Sequence, residues 1–126
     1  MHYDTRRLTV ARDHLQNAND EIVRAIGLSE ASMAQQAAQR ALAELDLVLK
    51  KLGDEQGATR GTAGEPVAAC ALSAAQHAWQ RLHDALNDWE MEQRRALKEA
   101  RDDVRTAIDA VDGARYVMVR SEAAMP

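Results

Sequence analysis

Apolar residues return along most of this chain in alternating steps of three and four, the spacing that gathers them on one face of an α-helix. The first run is Leu8, Ala11, Leu15, Ala18, Ile22 and Ala25/Ile26, and the second is Met33, Ala37, Ala41, Leu45, Val48 and Leu52. Ile26-Gly27-Leu28-Ser29 stands between them. Gly27 suits a left-handed position just past a helix end, with Leu28 as its hydrophobic partner and Ser29 as the cap of the next helix. Ser32 with Gln35 offers a second capping box. The alternative is one unbroken helix that tolerates a glycine. A third run follows from Leu72 through Ala75, Trp79, Leu82, Leu86, Trp89, Gln93, Ala96 and Ala100. It then slips by one residue to Val104, Ala107/Ile108 and Val111, as a straight helix does against a supercoiled seam. The opposite face carries charge, with Arg95 spaced to pair with Glu92 and Glu99.

Gly53, Gly57, Gly61 and Gly64 break the pattern between the second and third runs. Each glycine costs a helix about 1 kcal/mol relative to alanine, so four together predict a loop. Pro66 then suits the first turn of a new helix. The expected organisation is a single all-α domain over 1–126. It comprises a helical block at 4–52, a Gly-rich loop at 53–65, a helical block at 66–112 and a tail at 113–126. Blocks of nearly equal length around one loop describe an antiparallel helical hairpin, with a kink or break near Gly27. A two-helix hairpin has one seam and no enclosed core, so this reading expects a four-helix bundle completed by dimerisation. The expected partner interface is Leu72, Trp79, Leu82, Leu86, Trp89, Gln93, Val104 and Ile108. Gln93 is the polar member that can set register.

Composition narrows the classes. Alanine occurs 25 times in 126 residues and phenylalanine never, and there are six glycines and two prolines. That argues against β-rich folds. A hydrophobic content of 46% and a net charge of −4 argue against disorder. With 16 basic residues against 20 acidic ones there is no nucleic-acid footprint. No apolar run reaches the length of a membrane span, and Met1–Arg7 has no apolar segment behind it. The expected compartment is the cytoplasm, with export by a route that needs no cleaved signal peptide left open. Cys70, the one cysteine, sits beside Val67, Ala68, Ala69 and Ala71 and reads as a small buried hydrophobe.

Candidate chemistry is sparse. His2, His14, His77 and His83 have no glutamate three residues before them, and His77 and His83 fall on different helix faces. No metal, cofactor or small-molecule substrate is evident. Trp79 and Trp89 read as seam anchors, and the acids are mixed with arginines as on a solvated face. Neither Gly-Lys-Ser/Thr nor Gly-x-Ser-x-Gly is present. Val104–Asp112 with Arg120 resembles the opening helix of all-α chorismate mutases, but the 14 residues after Asp112 contain no lysine or glutamine.

The matched blocks, the Gly loop, Trp79 early in the second block and Tyr116 beyond it carry another resemblance. In these features the chain is similar to the Trp-x-Gly superfamily of type VII secretion substrates and their actinobacterial secretion-associated relatives. The resemblance implies a hairpin that pairs with a related hairpin into a four-helix bundle, the two being exported together. The signatures depart from the pattern: Gln80-Arg81 follows Trp79, and Glu90-Met91 follows Trp89. Arg120 stands four residues after Tyr116, where the tail signal has an acid, and Glu122 is the next acid. The function expected from these features is non-enzymatic pairing, with itself or with a related hairpin. A coiled-coil adaptor, chaperone or phage assembly component is the alternative. A small all-α enzyme with a site between protomers is the third option.

Overall fold

The computed structural model describes residues 6–58, 65–87, 89 and 93–123, with side chains over 8–53, 65–87, 89 and 95–116. Among the described residues the fold is four helices: α1 (Arg6–Gly27), α2 (Ala31–Ala58), α3 (Glu65–Asn87) and α4 (Gln93–Ala123). No strand occurs among the described residues. The helices stand in a ring, each packed on its two sequence neighbours, with α4 closing against α1. Packing is closest within the α1–α2 and α3–α4 pairs, so the bundle is two hairpins docked side by side. The contacts Glu21–Arg40 and His14–Glu44 run antiparallel between α1 and α2, and Arg12–Asp112 joins the ends of the chain across the closing seam.

The core lies on the bundle axis. Leu8, Ala11, Leu15, Ala18, Ile22 and Ala25 of α1 are all buried, as their spacing predicts. From α2 come Ala37, Ala41, Leu45, Val48 and Leu52, with Ala34 in the place expected for Met33, which is 48% exposed. The α3 interior is almost wholly alanine (Ala68, Ala71, Ala74, Ala75, Ala78, Ala85), with Leu82 as its one large buried side chain. From α4 come Leu97, Ala100, Val104, Ala107, Ile108, Val111 and Ala114. Both apolar stripes of the chain therefore cover each other within one molecule.

Several boundaries differ from the sequence pattern. The chain does break at Gly27, but Gly27 keeps an ordinary right-handed backbone, and the Leu28 N–H still reaches the Arg24 carbonyl at 3.1 Å. Glu30 begins the next ladder by accepting from the Ala34 N–H at 3.0 Å, and Ser32 donates to the Glu30 carboxylate rather than capping the backbone. The loop expected at 53–65 is shorter, because α2 runs on through Gly53 and Gly57 to Ala58. Gly53 touches nothing within 4 Å, and its propensity cost falls on a helix already propagating from behind. Gly61 and Gly64 lie outside the described residues. Pro66 does take the first turn of α3.

The block expected at 66–112 is two helices: α3 stops at Asn87 and α4 starts at Gln93, with Trp89 in a turn between them. The tail expected at 113–126 is helical through Ala123. A Cβ at Gly113 would meet Val67 Cγ1 of α3 at 3.4 Å, an ordinary contact, so this glycine continues the helix rather than ending it.

Candidate functional site

Each seam of the ring carries polar contacts at its edge. Between α1 and α2, His14 Nδ1 and Glu44 Oε2 are 2.6 Å apart, and Arg40 Nε donates to Glu21 at 3.1 Å. Between α2 and α3, the Trp79 indole N–H donates to Asp46 at 2.6 Å. Between α3 and α4, Arg81 reaches Asp103 and Glu99, each at 2.6 Å. Across α1 and α4, Arg12 Nε donates to Asp112 at 3.0 Å. The hydrogen bond to Asp103 is the main reason the Arg81 guanidinium holds its proton more tightly than a free arginine; both carboxylates add to it, and slight burial opposes it. All these contacts sit at the rim of the core, where they fix the rotation of one helix against the next.

The residues expected to meet a partner are divided by the structure. Leu82, Val104 and Ile108 lie in the bundle's own core. Leu72, Trp79, Leu86 and Trp89 are half-buried and packed against that core from its flanks. Trp79 also stacks on His83, with ring centroids 4.8 Å apart and planes 13° from parallel. Gln93 opens α4 and Glu122 lies in its last turn; both side chains fall outside the described residues. Tyr116 is 64% exposed on α4. Cys70 is exposed, not buried, because the α3 interior passes through Ala68 and Ala71 and leaves Cys70 between them on another face. Of the chorismate-mutase-like stretch, Val104, Ala107, Ile108 and Val111 face the core, while Arg105 and Asp109 face solvent.

Described residues line two concave features. A cleft of about 330 Å³ on the α1–α2 hairpin is lined by Asn17, Asp20, Glu21, Arg40 and Glu44. Its acids are engaged: Glu21 with Arg40, Glu44 with His14, and Asp20 with Gln16 at 3.1 Å. A cavity of about 80 Å³ lies between Trp89 and the α1–α2 turn. Among the described residues, three buried side-chain polar atoms lack a hydrogen-bond partner: Asn19 Oδ1, Trp89 Nε1 and Arg101 Nε. Arg101 Nε is 3.6 Å from Asp102 Oδ1, an ion pair too long for a hydrogen bond.

Among the described residues no group of three or more His, Cys, Asp or Glu side chains is arranged to hold a metal ion. Among the described residues no helix is long and apolar enough to cross a membrane. Sequence reasoning did not find the seam contacts of Arg81 or Arg12, whose partners lie 18 to 100 residues away. Arg95–Glu99, at 3.2 Å along one helix, was open to it. The chain matches no protein-family model, and no curated protein and no solved structure is significantly similar to it.

Proposed function

We propose that this protein is a non-enzymatic helical interaction module that pairs with a second copy of itself or with a related hairpin. The observation that carries this reading is the division of the bundle into two hairpins. Each is closed by its own polar contacts, Arg40–Glu21 in one and Arg81 with Asp103 and Glu99 in the other, and the two meet across the less intimate α2–α3 and α1–α4 seams. A related hairpin would meet that same face by taking the place of the chain's own second hairpin, an exchange of like elements between molecules. Association of this kind with type VII secretion, starting from the cytoplasm, is its most concrete form. The resemblance in hairpin plan, Trp79 and Tyr116 supports that form.

The adaptor reading draws on a different surface. One turn beyond the His14–Glu44 pair, the same antiparallel register brings Val10 and Leu47 level on the outer side of the α1–α2 hairpin, exposed by 39% and 43%. A partner helix laid there would cover both.

Sedimentation equilibrium of the purified chain, with affinity capture of tagged protein from its native host, tests the pairing reading. A dimer at micromolar concentration, or stoichiometric recovery of a helical-hairpin partner, is expected. A monomer throughout with no stoichiometric partner overturns it.

A further inference from the structure

The two hairpins are tied together at one end of the bundle and poorly mated at the other. At the tied end the chain passes from α2 to α3, and Arg12 Nε holds Asp112 at 3.0 Å. The other end holds the hairpin tips, where α1 gives way to α2 and α3 to α4. Between the tips lies the cavity of about 80 Å³, walled by Ala25, Leu28 and Ala34 of one hairpin and by Trp89 and Leu97 of the other.

Helix phase carries the same asymmetry along the α1–α4 seam. Asn19 stands seven residues after Arg12, and Arg101 eleven before Asp112, which places each within about 20° of the face that makes the ion pair. Both therefore belong to the seam, on the tip side of that pair. Asn19 Oδ1 and Arg101 Nε are buried there without a partner. Val23, one turn beyond Asn19 on the same stripe, is 44% exposed. On their other flanks the two helices are held: Glu21 by Arg40 in one hairpin, and Glu99 and Asp103 by Arg81 in the other. The α2–α3 seam keeps its own hydrogen bond, from Trp79 to Asp46. An unpaired buried polar atom penalises the closed state, and water removes the penalty as soon as the tips part.

We propose that the hairpins part at their tips, α1 and α4 swinging away from each other about the α2–α3 seam while each hairpin stays folded. The motion wets Asn19 and Arg101 and uncovers Ile22, Leu97 and Val104 of the inner face. Its use rests on the pairing reading: this is the edge at which a hairpin of a second copy enters to replace the chain's own.

The test uses the full chain with Cys70→Ala, which removes the exposed native thiol. A single new thiol then replaces one of two fully buried valines of α4. Val104→Cys lies on the tip side, and Val111→Cys lies beside the Arg12–Asp112 pair. Expected is labelling by a thiol reagent in native buffer about tenfold faster at position 104 than at 111, rising less steeply with urea, because a partial opening exposes less surface than unfolding does. Asn19→Leu or Arg101→Met, each removing an unpaired atom while keeping apolar bulk, should slow labelling at 104 about tenfold. Equal rates with equal urea slopes at the two thiols overturn the proposal, as does a rate at 104 that neither substitution slows. Fast labelling at 104 in a chain that sediments as a monomer would keep this opening and sink the pairing reading. A dimer with equal rates would do the reverse.

Discussion

Leu82 is the only large side chain that α3 commits fully to the interior, and it stands among alanines on its own helix. Truncating it to alanine removes apolar surface worth about 1.5–3 kcal/mol when fully buried. Alanine neighbours have no side-chain length with which to move into the space. If roughly 50 Å³ stays unfilled, the cavity adds about 1.2 kcal/mol at about 24 cal/mol per Å³. Leu82→Ala should therefore destabilise the bundle by about 3–4 kcal/mol, a large share of the roughly 5–15 kcal/mol that holds a domain folded. Urea unfolding followed by helical circular dichroism measures it. With a slope of about 1–3 kcal/mol per M, the midpoint should fall by about 1–4 M. Leu47→Ala, at an exposed position of α2, is the companion and should stay within about 0.5 kcal/mol of the parent. A loss below about 1 kcal/mol for Leu82→Ala would mean that Leu82 faces outward. The internal core described above would then be wrong.

Gly113→Ala should stabilise the protein by about 0.5–1 kcal/mol, read as a raised melting temperature, because the added methyl meets Val67 at an ordinary 3.4 Å inside a helix. A lowered melting temperature would show that α3 and α4 need a bare backbone there. Arg81→Ala should cost less than about 1 kcal/mol, and the cost should shrink further in high salt, since Arg81 and Glu99 are both about two-fifths exposed. Because the folded state raises the Arg81 pKa, its contribution is complete at neutral pH and is lost only in strong alkali. A loss of several kcal/mol at either salt concentration would contradict the exposed placement of the pair. Cys70 should react with a thiol reagent in the native protein nearly as fast as in urea, since it is exposed. Protection by a large factor would return it to the interior.

The part of the fold open to reading from sequence was what a single helix decides by itself. All six positions of the first stripe are buried because their spacing alone defines the face. What two neighbours decide together was hidden. In a ring each helix packs on both sides, so the α3 stripe is wider than one seam. The large residues Leu72, Trp79 and Leu86 mark its flank, and small Ala71, Ala75 and Ala78 mark its centre. Reading the flank as the centre misplaced the axis of the stripe. The same error joined α3 to α4, since the three–four rhythm passes over Trp89 whether the chain turns or not, and it chose Ala96 where Leu97 is buried. Cys70 was misplaced by apolar neighbours in sequence, which a helix spreads about 100° apart per residue. The Trp89 cavity depends on two turns meeting at one end of the bundle, which no local pattern encodes.

The central structural claim is that one chain closes its own bundle, with α4 packed on α1 of the same molecule. A sample mixed in equal parts from ¹³C-labelled and unlabelled chains, unfolded and refolded together, tests it through isotope-filtered methyl contacts between α1 and α4. At low concentration, contacts from Leu15 to Ile108 and Val111, level with it in the register of the Arg12–Asp112 pair, should appear only within the labelled molecules. Finding those contacts between labelled and unlabelled chains would show that the ring is closed by two molecules instead.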